Sequence, residues 1–113
     1  MSDCLFCKII DKKIPATFEY EGDSLVAIQD VHPKAPVHVL IIPKKHIVGV
    51  NEADQTDAEL LGEMILCAKK LAKQKKVDHG FRLIFNNGSE AGQSVFHIHL
   101  HLLGGRPMSW PPG

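Results

Sequence analysis

Apolar and polar residues recur with two different periods along the chain, and together they predict two helices and five strands. Apolar residues at positions 6, 9 and 10 give residues 6–13 a short helical stripe, which stops at Ile14 because proline disfavours a helical residue before it. Alternating or continuous apolar runs predict strands over residues 17–21, 24–30, 37–42, 81–85 and 95–103. Residues 86–94 are a polar, glycine-containing loop between the last two strands.

The longest helical pattern lies between the third and fourth strands. Thr56 followed by Glu59 fits a capping box, so we expect the helix to begin there. Cys67 lies beside the apolar stripe of this helix, and we expect an inert core thiol. The order of short helix, strands, long helix and strands predicts the α+β class. The stripe consists of Leu60, Leu61, Met64, Ile65, Ala68, Leu71 and Ala72.

Length and composition fit one globular domain, which we expect to span residues 1–113. Hydrophobic residues make up 44% and charged residues 23% of the chain, as in soluble proteins. Lys+Arg and Asp+Glu number 13 each, whereas nucleic-acid binders usually have a basic excess, so we expect no nucleic-acid partner. No apolar run approaches the ~20 residues that cross a bilayer, and we expect neither a membrane segment nor a signal peptide.

Three cysteines are an odd number, which argues against a secreted disulfide framework and favours the cytoplasm. The spacing of Cys4 and Cys7 is typical of a zinc knuckle, but two ligands do not make a site. His46 and His97 could complete a Cys2His2 set. Two unpaired thiols or a redox pair remain alternatives, although no thioredoxin-like strand and helix surround the cysteines.

Histidines alternate with apolar residues in the last predicted strand. Because side chains in a strand have a period of two, His97, His99 and His101 share one face. Packing explains three imidazoles poorly, since each ring needs hydrogen-bond partners. Such histidines can bind catalytic zinc with a third ligand, or a neutral imidazole can act as a nucleophile. The preceding Gly92 and Ser94 favour the nucleophile, because a loop of small residues offers backbone N–H groups to phosphate oxygens.

This histidine strand resembles the signature of the histidine triad (HIT) family. The ending, residues 110–113, resembles that of the family's nucleotide-binding branch. The resemblance implies an α+β fold with a five-stranded antiparallel sheet, one long helix and one short helix. It also implies a homodimer in which two sheets join into a continuous ten-stranded sheet. Further matching segments are residues 8–10, 14–15, 33–38, 42–46, 92–94 and 104–107, together with Asp30 and Asn86.

The function implied by the resemblance is that of a purine nucleoside phosphoramidase, also called an adenosine 5′-monophosphoramidase. Its substrates would be adenosine or guanosine 5′-monophosphate joined to an amine. By position, His99 resembles the nucleophile that becomes nucleotidylated, and His101 with Gly92 and Ser94 resembles the set that binds the phosphate. His38 completes the catalytic set as a buried histidine beside the active-site strand.

The nucleotide-binding residues also follow from the resemblance. Asp30 matches the carboxylate that binds the ribose hydroxyls, and Asn86 matches a nearby polar contact. Ala91 and Gln29 depart from the family pattern, and either could shift the base preference. The apolar wall of the base pocket would consist of Leu5, Phe6, Ile9, Ile28 and Val31.

Structural zinc is the cofactor implied by the resemblance, because part of the family carries zinc on this pattern. The ligands would be Cys4, Cys7, His46 and His97, so His97 would be structural rather than catalytic. Other nucleotide-binding members lack the cysteines, and an amine leaving group requires no metal. We therefore expect chemistry that does not depend on the ion.

Two other functions stay open at this point. A purine nucleotide-binding module that regulates a partner could lose His99 without harm, so the three intact histidines favour catalysis. Cleavage of dinucleoside polyphosphates belongs to another branch of the family, and the ending at residues 110–113 argues against it. The apolar, proline-rich tail predicts a twofold dimer with Trp110 near the partner's active site, since tryptophan is enriched at interface cores.

Overall fold

An antiparallel five-stranded sheet forms the centre of the computed structural model, which describes residues 3–113. Met1 and Ser2, the first residues of the expected 1–113 domain, lie outside the described residues. The helices are α1 (Leu5–Ile10) and α2 (Ala58–Gln74), and the strands are β1 (Phe18–Glu21), β2 (Leu25–Gln29), β3 (Val37–Pro43), β4 (Phe81–Ile84) and β5 (Leu100–Gly104). The strand order is β1-β2-β3-β5-β4, so β1 and β4 form the edges.

Helix α2 covers one face of the sheet. Its buried residues are Met64, Cys67, Ala68, Leu71 and Ala72, and they pack against β2, β3 and β5. Cys67 lies in this core, as the sequence predicted, and burial raises the pKa of its thiol. Ile65 was wrongly placed in the stripe, because its side chain points away from the sheet and remains 46% exposed.

Helix α1 covers the opposite face with far fewer residues. Phe6 and Ile9 pack there against Val26, Ile28, Leu40 and Ile42 of β2 and β3. Strands β2 and β3 are thus buried on both faces, which explains why their sequences are apolar almost throughout. The predicted helix over residues 6–13 is shorter at its end, since Lys12 has a positive φ of 64°.

The start of α2 differs from the prediction. The capping box expected from Thr56 and Glu59 is wrong, because the reciprocal bonds involve Asp54 and Asp57 instead. The Asp54 carboxylate accepts from the Thr56 N–H at 2.8 Å, and Asp57 accepts from the Asp54 N–H at 3.1 Å. A 3-10 turn, Gln55–Asp57, therefore precedes the α-helix.

The strand predicted over residues 95–103 begins later, at Leu100. Residues before it lack a strand partner, since the N–H of Ile98 donates to the carbonyl of Ile47 in a loop at 2.6 Å. The α+β class with a five-stranded antiparallel sheet, one long helix and one short helix is confirmed. Within residues 3–113, no helix has the length and apolar character needed to cross a membrane.

Candidate active site and metal cluster

The three histidines line the α1 side of the sheet, at the start of β5. The ring of Phe6 contacts both His97 and His99, with centroids 6.0 and 4.9 Å apart. The rings of His99 and His101 are 5.0 Å apart. Leu100 and Leu102 point to the opposite face, into the core beneath α2. The predicted alternation thus holds even where the backbone is not yet a strand.

His99 has a defined tautomer, because its Nδ1 lies 2.8 Å from the carbonyl oxygen of His97. A carbonyl only accepts, so Nδ1 carries the proton and Nε2 keeps its lone pair. Burial lowers the pKa of His99 below its usual value, which keeps the ring neutral at neutral pH. The geometry therefore provides a neutral imidazole with one free nucleophilic nitrogen.

His38 and His101 form a second pair with defined tautomers. The backbone N–H of Lys34 donates to His38 Nδ1 at 3.0 Å, so the proton of His38 lies on Nε2. Nε2 lies 2.9 Å from His101 Nδ1 and 3.3 Å from Asp30 Oδ2. His101 Nδ1 accepts this proton, and the proton of His101 itself lies on Nε2. The pKa of His101 is lowered to about 4, and burial is the largest of the causes.

The loop before β5 is held by Gln93, a residue that the sequence did not single out. Its side chain is buried and spans the loop: Oε1 accepts from the Gly88 N–H at 2.8 Å, and Nε2 donates to the Val48 carbonyl at 2.7 Å. Gly92 has φ +95°, a left-handed conformation that favours glycine. Only the position of Gln93 between Gly92 and Ser94 could have pointed to it.

The predicted nucleotide-binding residues separate into two groups. Phe6, Ile9 and Ile28 lie together in the apolar cluster beneath α1, whereas Leu5 and Val31 are 42% and 82% exposed and lie outside that cluster. Asn86 is adjacent to Gly92, since a Cβ at position 92 would lie 3.9 Å from Asn86 Nδ2.

Asp30 follows β2 and is mostly buried, with 18% of its side chain exposed. Its Oδ1 accepts from the His32 N–H at 2.8 Å, which fixes the carboxylate beside the His38–His101 pair. A cleft of about 610 Å³ opens beside the loop, between Ser94 and the start of α1.

Cys4, Cys7, His46 and His97 come together although they lie in three distant parts of the chain. Cys4 Sγ and Cys7 Sγ lie 3.3 and 3.6 Å from His97 Nδ1, and Cys7 Sγ lies 3.5 Å from His46 Nδ1. Zinc–nitrogen and zinc–sulfur bonds of usual length give tetrahedral edges of about 3.3–3.8 Å. The donor set therefore fits zinc, and these three distances lie in that range, whereas His46 Nδ1 and His97 Nδ1 are closer together, at 3.0 Å.

The tautomer of His97 also fits a metal ligand. Its Nε2 donates to the Pro43 carbonyl at 2.7 Å, which leaves the Nδ1 lone pair directed at the cysteines. Such a bond on the far nitrogen is what orients metal-ligating histidines. Burial is the largest cause that raises the pKa of the Cys7 thiol.

A second group of potential ligands, Asp30, His38 and His101, fits a metal less well. To bind a metal through Nε2, a neutral His38 would need its proton on Nδ1. That position faces the Lys34 N–H, another donor, at 3.0 Å. These three residues are therefore suited to a hydrogen-bond relay.

Comparisons with known proteins agree with this geometry. The family model described as the HIT domain matches residues 11–108. An uncharacterised HIT-like protein of Synechocystis sp. is 53% identical over 111 residues, which cover 98% of this chain and 97% of that protein. A 14 kDa zinc-binding protein of Brassica juncea is 47% identical over 113 residues, 98% of this chain and 100% of that protein.

A solved structure shows the same likeness. The crystal structure of a HIT family hydrolase from Legionella pneumophila superposes with a TM-score of 0.96 at 53% identity, covering 98% of this chain and 100% of that chain.

Proposed function

The chain belongs to the HIT family, and from this premise we propose that it is a purine nucleoside phosphoramidase. It would hydrolyse adenosine and guanosine 5′-monophosphoramidates through a nucleotidyl-histidine intermediate. The observation that supports this most directly is the state of His99. A neutral ring with Nδ1–H bound to the His97 carbonyl has its Nε2 lone pair free for attack.

The proposed reaction has two steps. In the first, His99 Nε2 forms a bond to the α-phosphorus, the phosphorus–nitrogen bond breaks, and the departing nitrogen takes one proton from solvent to leave as an amine. In the second, a water oxygen attacks the same phosphorus, the bond to Nε2 breaks, and the surplus proton returns to solvent. Two covalent steps replace one difficult displacement.

His101 and the loop would stabilise the transferring group. The relay from Lys34 through His38 leaves His101 with an Nε2–H donor that is fixed before substrate arrives. Donors that need no reorientation stabilise charge on phosphoryl oxygens more effectively than water does. The loop that Gln93 braces would add the backbone N–H groups of Gly92 and Ser94.

The nucleoside would bind on the α1 side of the sheet. Asp30 retains acceptor capacity for ribose hydroxyls, because its two bonds to His32 and His38 leave lone pairs on both oxygens. Phe6, Ile9 and Ile28 would form the buried base of an apolar wall for a purine ring, with Leu5 and Val31 as its exposed part, and Asn86 lies next to Gly92 in the loop before β5.

Zinc would be held by Cys4, Cys7, His46 and His97, where it supplies a cross-link between α1 and the segment before β5. No step of the proposed reaction passes through it. The two cysteines and two histidines thus serve structure, while His99 and His101 serve chemistry.

A substrate comparison and a chemical trap test this function. We expect rapid hydrolysis of adenosine 5′-phosphoramidate and little of diadenosine triphosphate. Rapid acid quench during turnover should yield protein heavier by one nucleoside monophosphate, mapped to the peptide that contains His99. His99→Ala should abolish turnover while AMP still binds, since the base and ribose contacts lie elsewhere.

The control is His79→Ala, which removes an exposed histidine outside the site and should retain full turnover. An adduct on Ser94 or His101, or near-normal turnover by His99→Ala, would contradict the mechanism. Tight AMP binding without any hydrolysis would favour a binding module instead.

A further inference from the structure

Helix α1 depends on its side chains to remain on the sheet. It has six residues, and isolated helices shorter than ~12–15 residues are marginal in water. Phe6 and Ile9 anchor one side of it in the apolar cluster. At its start, Cys4 is the N-cap and accepts weakly from the Cys7 N–H at 3.4 Å, and both thiols face the histidine cluster.

Two residues, His97 and Phe6, connect the metal cluster to the candidate nucleophile. His97 is fully buried; its ring belongs to the cluster, while its carbonyl accepts from His99 Nδ1. Phe6 lies between Cys4 and Cys7 in sequence, and its ring contacts both His97 and His99. A shift of α1 would therefore move the wall of the base pocket and disturb the nucleophile together.

We propose that Cys4, Cys7, His46 and His97 are positioning residues, and that a zinc ion bound to them fixes α1 over His99 and so strengthens nucleotide binding. This inference rests on the proposed function, because it concerns the same nucleotide site. Without the ion, α1 is anchored by the buried Phe6 and Ile9 and the half-buried Ile10, and a segment with few contacts opens locally at low cost. When the ion is bound, α1 is already ordered before the nucleotide arrives. The free-energy cost of ordering the helix is then no longer subtracted from nucleotide binding.

Coupling between two sites is reciprocal, which gives a test beyond activity. AMP affinity should be measured calorimetrically for chelated protein and for protein loaded with Zn²⁺. Zn²⁺ affinity should then be measured with and without saturating AMP. We expect AMP to bind about tenfold more tightly to the zinc-loaded protein, and Zn²⁺ affinity to rise by the same factor when AMP is bound. A metal that only stabilises the fold would not gain affinity from AMP.

Variants separate the cluster from the rest of the protein. Cys4→Ser and Cys7→Ser should each remove the zinc dependence of AMP binding, whereas Cys67→Ser, the matched change in the α2 core, should keep it. Phe6→Leu should retain Zn²⁺ affinity in the absence of AMP but reduce the coupling factor towards one, since the ring that links the two sites is lost.

Equal AMP affinity with and without Zn²⁺ in the wild-type protein would overturn the inference and leave the phosphoramidase proposal intact. Failure of the wild-type protein to bind Zn²⁺ would overturn it as well. No AMP binding in either form would instead contradict the proposed function, and this inference with it.

Discussion

His101 is a base that the fold keeps neutral, because burial lowers its pKa to about 4 and the His99 and His38 rings add to the effect. In the unfolded chain the same ring titrates near 6.5. Between these values the unfolded chain binds a proton that the folded chain does not, so the free energy of unfolding falls as pH falls.

We therefore predict that urea unfolding midpoints fall steadily from about pH 6.5 to about pH 4, across the window between the two pKa values. His101→Gln should reduce the slope without removing it, because burial also lowers the pKa of His97 to about 4, and the exposed His79→Gln should leave the slope unchanged. A profile for His101→Gln as steep as that of the wild-type protein would contradict the assignment.

The role of His101 as a donor leads to a kinetic prediction. His101→Ala should lower kcat by about 10²–10³-fold, the usual cost of losing one preorganised donor, and should be milder than His99→Ala. Steady-state assays with adenosine 5′-phosphoramidate measure both. His99 and His101 act on the same group, so we expect the double variant to fall short of the product of the single effects. Equal loss of turnover in the two single variants would count against separate roles.

Spacing predicted the histidine face and the pair of Cys4 and Cys7, and the resemblance to the HIT family implied the other site residues, but neither gave their protonation. The alternation at residues 97–101 predicted one histidine face, and the four cluster residues meet as the expected zinc ligand set. The tautomers depend on the Pro43 carbonyl and the Lys34 N–H, which lie 54 and 4 residues from the rings that they bind. No pattern in the sequence identifies such backbone partners.

At the scale of elements, hydrophobic periodicity located the five strands and both helices, and it failed where a backbone partner lies in a loop. Residues 95–99 have strand-like alternation, yet the Ile98 N–H bonds to Ile47 outside the sheet, so β5 begins at Leu100. The prediction of where α2 begins failed for a different reason. Asp is a better N-cap residue than Thr, and the prediction followed the Thr-x-x-Glu pattern of a capping box although Asp54 precedes it.

Gln93 links the loop before β5, which would bind the phosphate, to the segment after β3. Gln93→Ala would remove the side-chain partner of the Gly88 N–H and of the Val48 carbonyl in a partly buried place, and a typical hydrogen bond contributes about 0.5–1.5 kcal/mol. We predict a loss of that order in unfolding free energy, together with a higher KM because the loop that would bind the phosphate loosens.

Chemical denaturation and steady-state kinetics check this prediction. The matched control is Gln74→Ala, which removes an exposed glutamine from α2 and should change neither quantity. If Gln93→Ala and the Gln74→Ala control have the same unfolding free energy, the side-chain hydrogen bonds of Gln93 do not stabilise the fold.

At the scale of the whole molecule, the two edges of the sheet differ in character. Strand β1 carries Glu19 and Glu21, which pair with Lys75 and Lys12, and charges of this kind discourage pairing with another strand. Strand β4 has one charged residue, Arg82, and its first residue, Phe81, is 37% exposed. The β4 edge is therefore the one suited to a second copy.

Trp110 also bears on dimerisation, since 82% of it is exposed in the single chain and tryptophan is enriched at interface cores. We predict a homodimer in which β4 pairs with β4 of a second copy, giving the continuous ten-stranded sheet and burying Trp110. Light scattering should show twice the chain mass at micromolar concentration.

Phe81→Lys should shift the protein to monomer, because a lysine on the pairing edge opposes strand addition, whereas Tyr20→Lys on the β1 edge should leave the dimer intact. A monomeric wild-type protein, or dissociation by Tyr20→Lys alone, would place the interface elsewhere or remove it.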